Sequence, residues 1–503
     1  MTYTLGIDIG TFESKGVLVD AEGGIVAMAA RPHKMLVPQP GWAEHRPRED
    51  WWGDFCFISG KLIADSGVAP ADICAVGASA IGPCMLPVTR TGEPLMNGVL
   101  YGVDTRAAAE IAELTEQIGE AALLQCCGNA LTSQSVGPKI LWLKRNHPEV
   151  FRDAHKIVGA TTYLVQQLTG ACVIDHYSAS SSAPLYNVEA LTWTDDLSPG
   201  LIRRDRLPDL AWTTDIAGAV SQRAADETGL APGTPVITGT IDAAAEAISV
   251  GVAAPGDLML MYGSTMFMIL VTAQRVRDPR LWYAPWLFPG QHASMAGLAT
   301  SGTLTHWFRE QFARELDPAT ALAVLTAEAE TSPPGAKGLI LLPYFSGERT
   351  PIHDPHAKGV LFGLDLTQTR GDVYRALLEG IAYGTHHVLE TFREAGQTPT
   401  SIQAVGGGIK NKVWSQAVSD VSGRTQTVRR HTVGAAYGDA FLAALAIGAA
   451  KPADILRWNP VVTEIAANPA WAETYAHGFG VYRNLYTNTR GLMRAGLAAR
   501  PTL

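Results

Sequence analysis

TLGIDI at residues 4–9, GTFES at 10–14 and GVLV at 16–19 read as an apolar strand, a polar turn of glycine and hydroxyl residues, and a second apolar strand. The same order returns half a chain later as DLMLMY at 257–262, GST at 263–265 and MFMILV at 266–271. One supersecondary unit met twice points to a duplicated domain core. Between the copies, segments of helical period (107–127 and 139–146) alternate with short apolar runs (73–77 and 235–240), the pattern of α/β layers. The Pro- and Gly-containing stretch 252–256 separates the halves. The expected organisation is a first domain over 1–251, a second over 252–450, and a Trp- and Ala-rich helical extension over 451–503 packed on the second domain.

A chain of 503 residues exceeds one ordinary hydrophobic core, which agrees with two domains. With 47% hydrophobic and 17% charged residues it has a globular composition. The 39 basic residues against 48 acidic ones, a net charge of -9, argue against broad binding to nucleic acid or anionic membranes. Six cysteines (Cys56, Cys74, Cys84, Cys126, Cys127 and Cys172) form no C-x-x-C pair and are expected as reduced thiols. The start MTYTLGIDIG has no basic leader followed by an apolar run, so the expected location is the cytoplasm. Apolar stretches 257–271 and 435–450 fall short of the roughly 18 residues of a spanning helix and read as a buried hairpin and a buried helix.

Turns of glycine and hydroxyl residues expose backbone N–H groups that cradle phosphate oxygens without a charged side chain. Gly10 and Thr11 form one such turn; Gly263, Ser264 and Thr265 form the other. Asp8, just ahead of the first turn, is placed to hold Mg2+ through water beside the phosphates, and Lys15 to supply a balancing cation. The structural alternative for Asp8 is an ordinary strand-end carboxylate. In TIDAAAE, residues 240–246, Asp242 opens an Ala-rich helix. It reads either as a helix N-cap or as a carboxylate that accepts a hydroxyl proton during phosphoryl transfer. Gly406, Gly407 and Gly408 follow the apolar run 402–405 and precede Asn411, a strand-turn-helix arrangement that lets a nucleotide approach the backbone. Neither a G-x-x-x-x-G-K-[ST] loop nor an H-E-x-x-H metal motif is present. Trp51, Trp52, Trp142 and Trp307 are expected as core anchors.

Taken in order, these pieces resemble the FGGY family of carbohydrate kinases of the actin-like ATPase superfamily. The most specific match is PYFSGERTP at 343–351, continuing through Asp354, GVLFGL at 359–364 and Asp372 to ALLE at 376–379. GWAEH at 41–45, Trp51 with Trp52, KILWL at 139–143, LTG at 168–170, Asp175 and 434–440 support it. The resemblance implies an α/β fold of two actin-like, ribonuclease H-like ATPase domains with a cleft between them. The first would carry the sugar and a phosphate loop, the second the nucleotide. It assigns Asp242 as the base, Asp8 to magnesium and Gly10, Thr11, Lys15, Gly263, Ser264 and Thr265 to the phosphates. Gly406, Gly407 and Asn411 would bind the adenosine. Asp104 and Arg106, in YGVDTR at 101–106, match the family's sugar-contacting W-x-D-x-R region, with Gly82 and Pro83 also on the sugar side.

The chain departs from that pattern at three places. Gly102 stands where the family has a tryptophan, SAIGPC at 79–84 replaces the usual sugar-contacting residues, and Phe12 and Glu13 occupy a loop where small hydroxyl residues are usual. Lost sugar contacts bear on which polyhydroxy substrate fits more than on the reaction. The expected activity is MgATP-dependent phosphorylation of a small sugar, with D-xylulose, giving the 5-phosphate, ahead of another ketose, a tetritol or a pentitol. The alternative class is an actin- or chaperone-like nucleotide switch. Sugar and ATP are the expected partners, with neither nucleic acid nor membrane, and the oligomeric state is open, a homodimer being one option.

Overall fold

A computed structural model describes residues 2–498, so Met1 and the last five residues of the expected extension lie outside the described residues. Two mixed sheets organise the chain. In the first, β1 (Tyr3–Ile9), β2 (Glu13–Asp20) and β3 (Ile25–Pro32) form an antiparallel meander, followed by α1 (Gly53–Ser66). Next come β4 (Ile73–Ala80), parallel to β1, and β5 (Pro235–Ile237), parallel to β4. The lateral order is β3-β2-β1-β4-β5. The helix α2 (Asp242–Ser249) closes this half.

The second sheet repeats the plan. An antiparallel meander of β6 (Asp257–Tyr262), β7 (Met266–Thr272) and β8 (His292–Leu298) is followed by α3 (Gly302–Phe312) and α4 (Ala321–Thr331). Parallel strands β9 (Ser401–Val405) and β10 (Gln426–Arg429) flank the helix α5 (Lys412–Ser422) and give the order β8-β7-β6-β9-β10. The five strands named in each sheet therefore read third, second, first, fourth, fifth, with Trp282–Pro285 added outside β8 in the second, so the repeat seen in the two hairpins extends to both domain cores. Each fifth strand also carries an antiparallel neighbour at the outer edge, Ile216–Ala219 in the first sheet and β11 (Val461–Ile465) in the second.

The halves are joined by more than chain connectivity. Helix α6 (Ala435–Ala446), from the second half, lies on β1 and β4 of the first sheet and packs along α2. A Cβ on Gly6 of β1 would fall 1.9 Å from the Ala436 carbonyl oxygen, so only glycine permits this approach. The expected buried helix at 435–450 is thus a wedge between domains, its Ala-rich composition set by two backbones pressing on it. The extension is not purely helical: β11 adds an edge strand before α7 (Ala472–Ala498), which buries Tyr475 and Tyr482 against the second domain.

The expected helix 107–127 is broken at Gly119 (φ +85°) into Ala108–Ile118 and Glu120–Cys127. Trp51, Trp52 and Trp142 are buried, while Trp307 is partly buried against Phe312 and Phe345. All six cysteines are free. Among the described residues, no helix is long and apolar enough to cross a membrane.

Candidate active site

The two hairpin turns share a local geometry. Gly10 N–H donates to the Glu13 carbonyl at 3.2 Å and Gly263 N–H to the Thr265 carbonyl at 3.2 Å, tightening each tip. The carbonyls of the second turn are drawn backward by the start of α3. Gly263 O accepts from Gly302 N–H and from the Ser301 hydroxyl, both at 3.0 Å, and Ser264 O accepts from the Thr303 hydroxyl at 2.8 Å. The N–H groups of Thr11, Phe12 and Ser264 make no hydrogen bond within the described chain, which leaves them for an anion.

Asp242 sits at the first turn of α2, with Ile241 as the N-cap. Its Oδ1 accepts the Ala243 N–H at 2.8 Å, and among the described residues the carboxylate makes no other hydrogen bond. The carboxylate thus serves one N–H of its own first turn without being the N-cap residue, and its second oxygen is left over. Upstream, the buried Asp175 carboxylate accepts the hydroxyls of Thr213 at 3.1 Å and Thr240 at 2.8 Å, pinning the residue two places before Asp242. Burial, then the charge of Asp8, then that of Glu246 hold the Asp242 carboxyl well above the ordinary carboxylate range. A carboxylate so raised is a stronger proton acceptor than one in water.

Asp8 lies beside it, pushed up to about 7 chiefly by burial, against the Ser79 hydroxyl that donates to its Oδ1 at 3.0 Å. Asp8 and Lys15 are cross-strand partners on β1 and β2, so both side chains lie on one face of the sheet. The Lys15 ammonium pairs with Glu13 at 3.3 Å, is 44% exposed, and its charge acts on both Asp8 and Glu246. Asp8, Asp242 and Glu246 thus act on one another through their charges, with Lys15 opposing two of them, Asp8 and Glu246. This excess of negative charge and oxygen donors fits a hard divalent cation. Among the described residues no three His, Cys, Asp or Glu side chains converge in metal-holding geometry, so such an ion would rely on Asp8, water and phosphate oxygens.

On the nucleotide side a pocket of ≈ 700 Å³ runs from Gly263 and Ser264 to Gly407 and Asn411. Its wall is the small apolar face of α4 at Leu322, Ala323 and Ala327, opposite Gly408 and Trp414. Gly406 has φ +98°, and a Cβ there would lie 2.7 Å from the Tyr262 carbonyl, so the turn after β9 is restricted to glycine. Asn411 Oδ1 caps α5 by accepting the Trp414 N–H at 3.1 Å.

The sugar-side expectations fare differently. Gly82 and Pro83 lie near the residue before Asp242: a Cβ on Gly82 would fall 2.8 Å from Ile241, and both residues line a small cavity with Cys84 and Ser178. Asp104 and Arg106 are taken up with each other. Both side chains are fully buried, with Arg106 Nε and Nη2 on Asp104 at 2.9 and 2.8 Å and Nη2 also on Glu44 at 2.9 Å. The guanidinium lies 4.0 Å from the Trp42 ring centre and 5.0 Å from that of Trp142, and Asp104 Oδ2 accepts the Ala43 N–H at 2.7 Å. A buried ion pair packed against two mutually perpendicular indoles braces the 41–45 segment against the 101–106 loop. The W-x-D-x-R pattern marks this brace as readily as it marks a sugar contact.

Tyr101 is the residue of that loop that reaches the site. Its hydroxyl is 3.2 Å from Thr11 Oγ1, and its ionisation is pushed up by burial, with the Asp242 charge adding to this and Arg349 opposing it. Gly102, which stands in for the family's tryptophan, has its space filled by Gln134: the side chain lies 2.7 Å from where a Cβ would sit, and its Oε1 accepts the Gly102 N–H at 3.1 Å. Tyr101, Glu246 and Asp439 lie inside the motifs at 101–106, 240–246 and 434–440 but carry no assigned role there, and Gln134 lies in none of them.

Twin actin-like cores, two phosphate-type hairpins and a largely unspent carboxylate at a helix start define a two-domain nucleotide-dependent phosphotransferase. Residues 3–249 match the FGGY family of carbohydrate kinases, N-terminal domain, and residues 258–447 match the C-terminal domain of the same family. The chain belongs to the FGGY family of carbohydrate kinases and is a sugar phosphotransferase. It is similar to the crystal structure of xylulose kinase from Rhodospirillum rubrum, with a TM-score of 0.91 and 31% identity, over 98% of this chain and 100% of that one. A xylulose kinase of Bacillus subtilis is 28% identical over 98% of this chain and 99% of its own length. A gluconokinase of the same organism is 27% identical over 84% of this chain and 83% of its own.

Proposed function

We propose that the protein transfers the terminal phosphate of ATP to a hydroxyl of a small ketose, with D-xylulose as the preferred acceptor and the 5-hydroxyl as the nucleophile. The observation that carries this reading is the Asp242 carboxylate at the start of α2, raised in proton affinity by burial and the neighbouring Asp8 charge and holding one hydrogen bond among the described residues. Similarity over nearly full length to proteins named xylulose kinase supports the choice of acceptor.

In this mechanism Asp242 orients the acceptor hydroxyl and takes its proton as the oxygen attacks the γ-phosphorus in line. Backbone N–H groups of Thr11, Phe12 and Ser264 stabilise the charge that spreads over the phosphoryl oxygens. Asp8 would hold Mg2+ beside the phosphates, where the ion would supply further charge neutralisation. The glycine turn at 406–408 and the α4 face hold the adenosine, and closure of the two halves excludes water as a competing acceptor. Catalysis in the cytoplasm is the setting we infer.

The test is ADP release measured with ATP over a panel of D-xylulose, other ketoses, gluconate, glycerol and pentitols. D-xylulose should give the highest kcat/KM, with little release in the absence of sugar. Release independent of any sugar would instead support a nucleotide switch, and preference for gluconate or a pentitol would overturn the choice of acceptor while keeping the reaction.

A further inference from the structure

The carbonyls of both hairpins are held from behind, but by different chemistry. The second turn uses backbone and hydroxyl donors at the start of α3. The first turn uses two histidine rings. Gly10 O lies 3.1 Å from His33 Nε2, Thr11 O lies 3.0 Å from His45 Nε2, and Phe12 O accepts the backbone N–H of His33 at 2.9 Å.

The partners of each ring fix where its hydrogens sit. An indole N–H only donates, so Trp51 Nε1, 3.0 Å from His45 Nδ1, makes that nitrogen an acceptor. The remaining hydrogen is then on Nε2, pointing at the Thr11 carbonyl, and His45 is neutral. His33 has acceptors on both sides: the Gly10 carbonyl at Nε2 and Asp54 Oδ2, 2.8 Å from Nδ1. Both of its nitrogens carry hydrogen, and the ring is an imidazolium. The rings meet edge to face with centres 4.8 Å apart, close enough that only one is charged at a time.

The surroundings agree with this division. Asp54, from α1, also accepts the Ser14 hydroxyl at 2.7 Å and pairs with Arg31 of β3 at 3.2 Å. Asp50, paired with Arg46, adds a second negative charge nearby. Burial pulls the His33 imidazole down, but the hydrogen bond and charge of Asp54, joined by Asp50, outweigh it and leave it above its ordinary value. Burial and then the charge of His33 drive His45 down to about 4. The His33 side chain is 5% exposed, so its charge is little screened by water.

We propose that His33 is a positioning residue for the phosphoryl donor: clamped between Asp54 and the Gly10 carbonyl, its imidazolium fixes the first hairpin and lends it positive charge, so the grip on nucleotide phosphates weakens when His33 loses its proton. This rests on the phosphate-loop reading given above.

The test is calorimetric titration of MgADP into the wild type, His33→Gln and Asp54→Asn from pH 6 to 9, with circular dichroism as the folding control. Wild-type affinity is expected to be highest with His33 protonated and to fall as pH rises through the raised His33 value. His33→Gln keeps an N–H toward Gly10 without the charge, and should bind about fivefold more weakly at pH 7, with that fall removed. Asp54→Asn should move the fall to lower pH, and it carries the same test if His33→Gln does not fold. A His33→Gln profile equal to the wild-type one, in slope and affinity, overturns the proposal. Failure of the wild type to bind MgADP at any pH would overturn the phosphate-loop reading itself.

Discussion

Asp439 Oδ2, on the helix that the second half sends across the boundary, lies 2.6 Å from the Ser79 hydroxyl on the central strand β4 of the first. The same hydroxyl is 3.0 Å from Asp8 Oδ1. A hydroxyl has one hydrogen and here meets two carboxyl groups, so one of them must supply the second hydrogen of the chain. Burial, followed by the charge of Asp8, raises Asp439 well above the ordinary range and makes it the carboxyl that stays neutral.

Asp439→Asn should therefore be mild, because an amide keeps a donor toward Ser79 without adding charge. Asp439→Ala leaves the Ser79 hydroxyl to Asp8 alone, strips the wedge helix of this hydrogen bond, and should cost about 1–3 kcal/mol. Urea unfolding of the two variants checks the difference; equal losses would mean that volume, not the hydrogen bond, is what matters.

Gly438 lies on α6 where a Cβ would fall 1.9 Å from the Ala245 carbonyl of α2, the helix that begins at Asp242. Gly438→Ala should force the two helices apart, destabilise the protein by about 3 kcal/mol or more, and reduce kcat through displacement of the base. Thermal unfolding and turnover at saturating substrate measure both effects, and an unchanged kcat would show that α2 does not transmit the shift.

His45 titrates near 6.5 when unfolded and near 4 in the fold. Between these values the unfolded chain binds a proton that the native state refuses, so the His45 contribution is complete above about pH 6.5 and is lost as pH falls toward 4. The loss is on the order of 3 kcal/mol at most. Urea midpoints at pH 7, 5.5 and 4.5 should fall more steeply for the wild type than for His45→Gln, which keeps a donor for the Thr11 carbonyl.

Much of this was legible in the sequence because it is local. The hairpins at 4–19 and 257–271, the glycine turn at 406–408 and the helix start at Asp242 are each set by a few adjacent residues whose backbone needs are characteristic. What escaped is built from contacts between distant segments. Asp439 meets Ser79 across 360 positions, and nothing in an Ala-rich helix announces that its one carboxylate faces another domain's sheet. Asp104 and Arg106 were given the family's role, but a three-residue pattern does not reveal which way its side chains turn; Trp42, Trp142 and Glu44 decided that. His33 and His45 lie in stretches without strong periodicity, and their task depends on Trp51 and Asp54 reaching them in the fold.

The central claim is that Asp242 is the base of sugar phosphorylation, and the measurement that meets it most directly is turnover by Asp242→Asn beside its affinity for MgADP. Nucleotide affinity should stay close to wild type while sugar-dependent kcat falls by about 10²–10⁴-fold, the span of a lost general base. Turnover near the wild-type rate, with the nucleotide still bound, would contradict it.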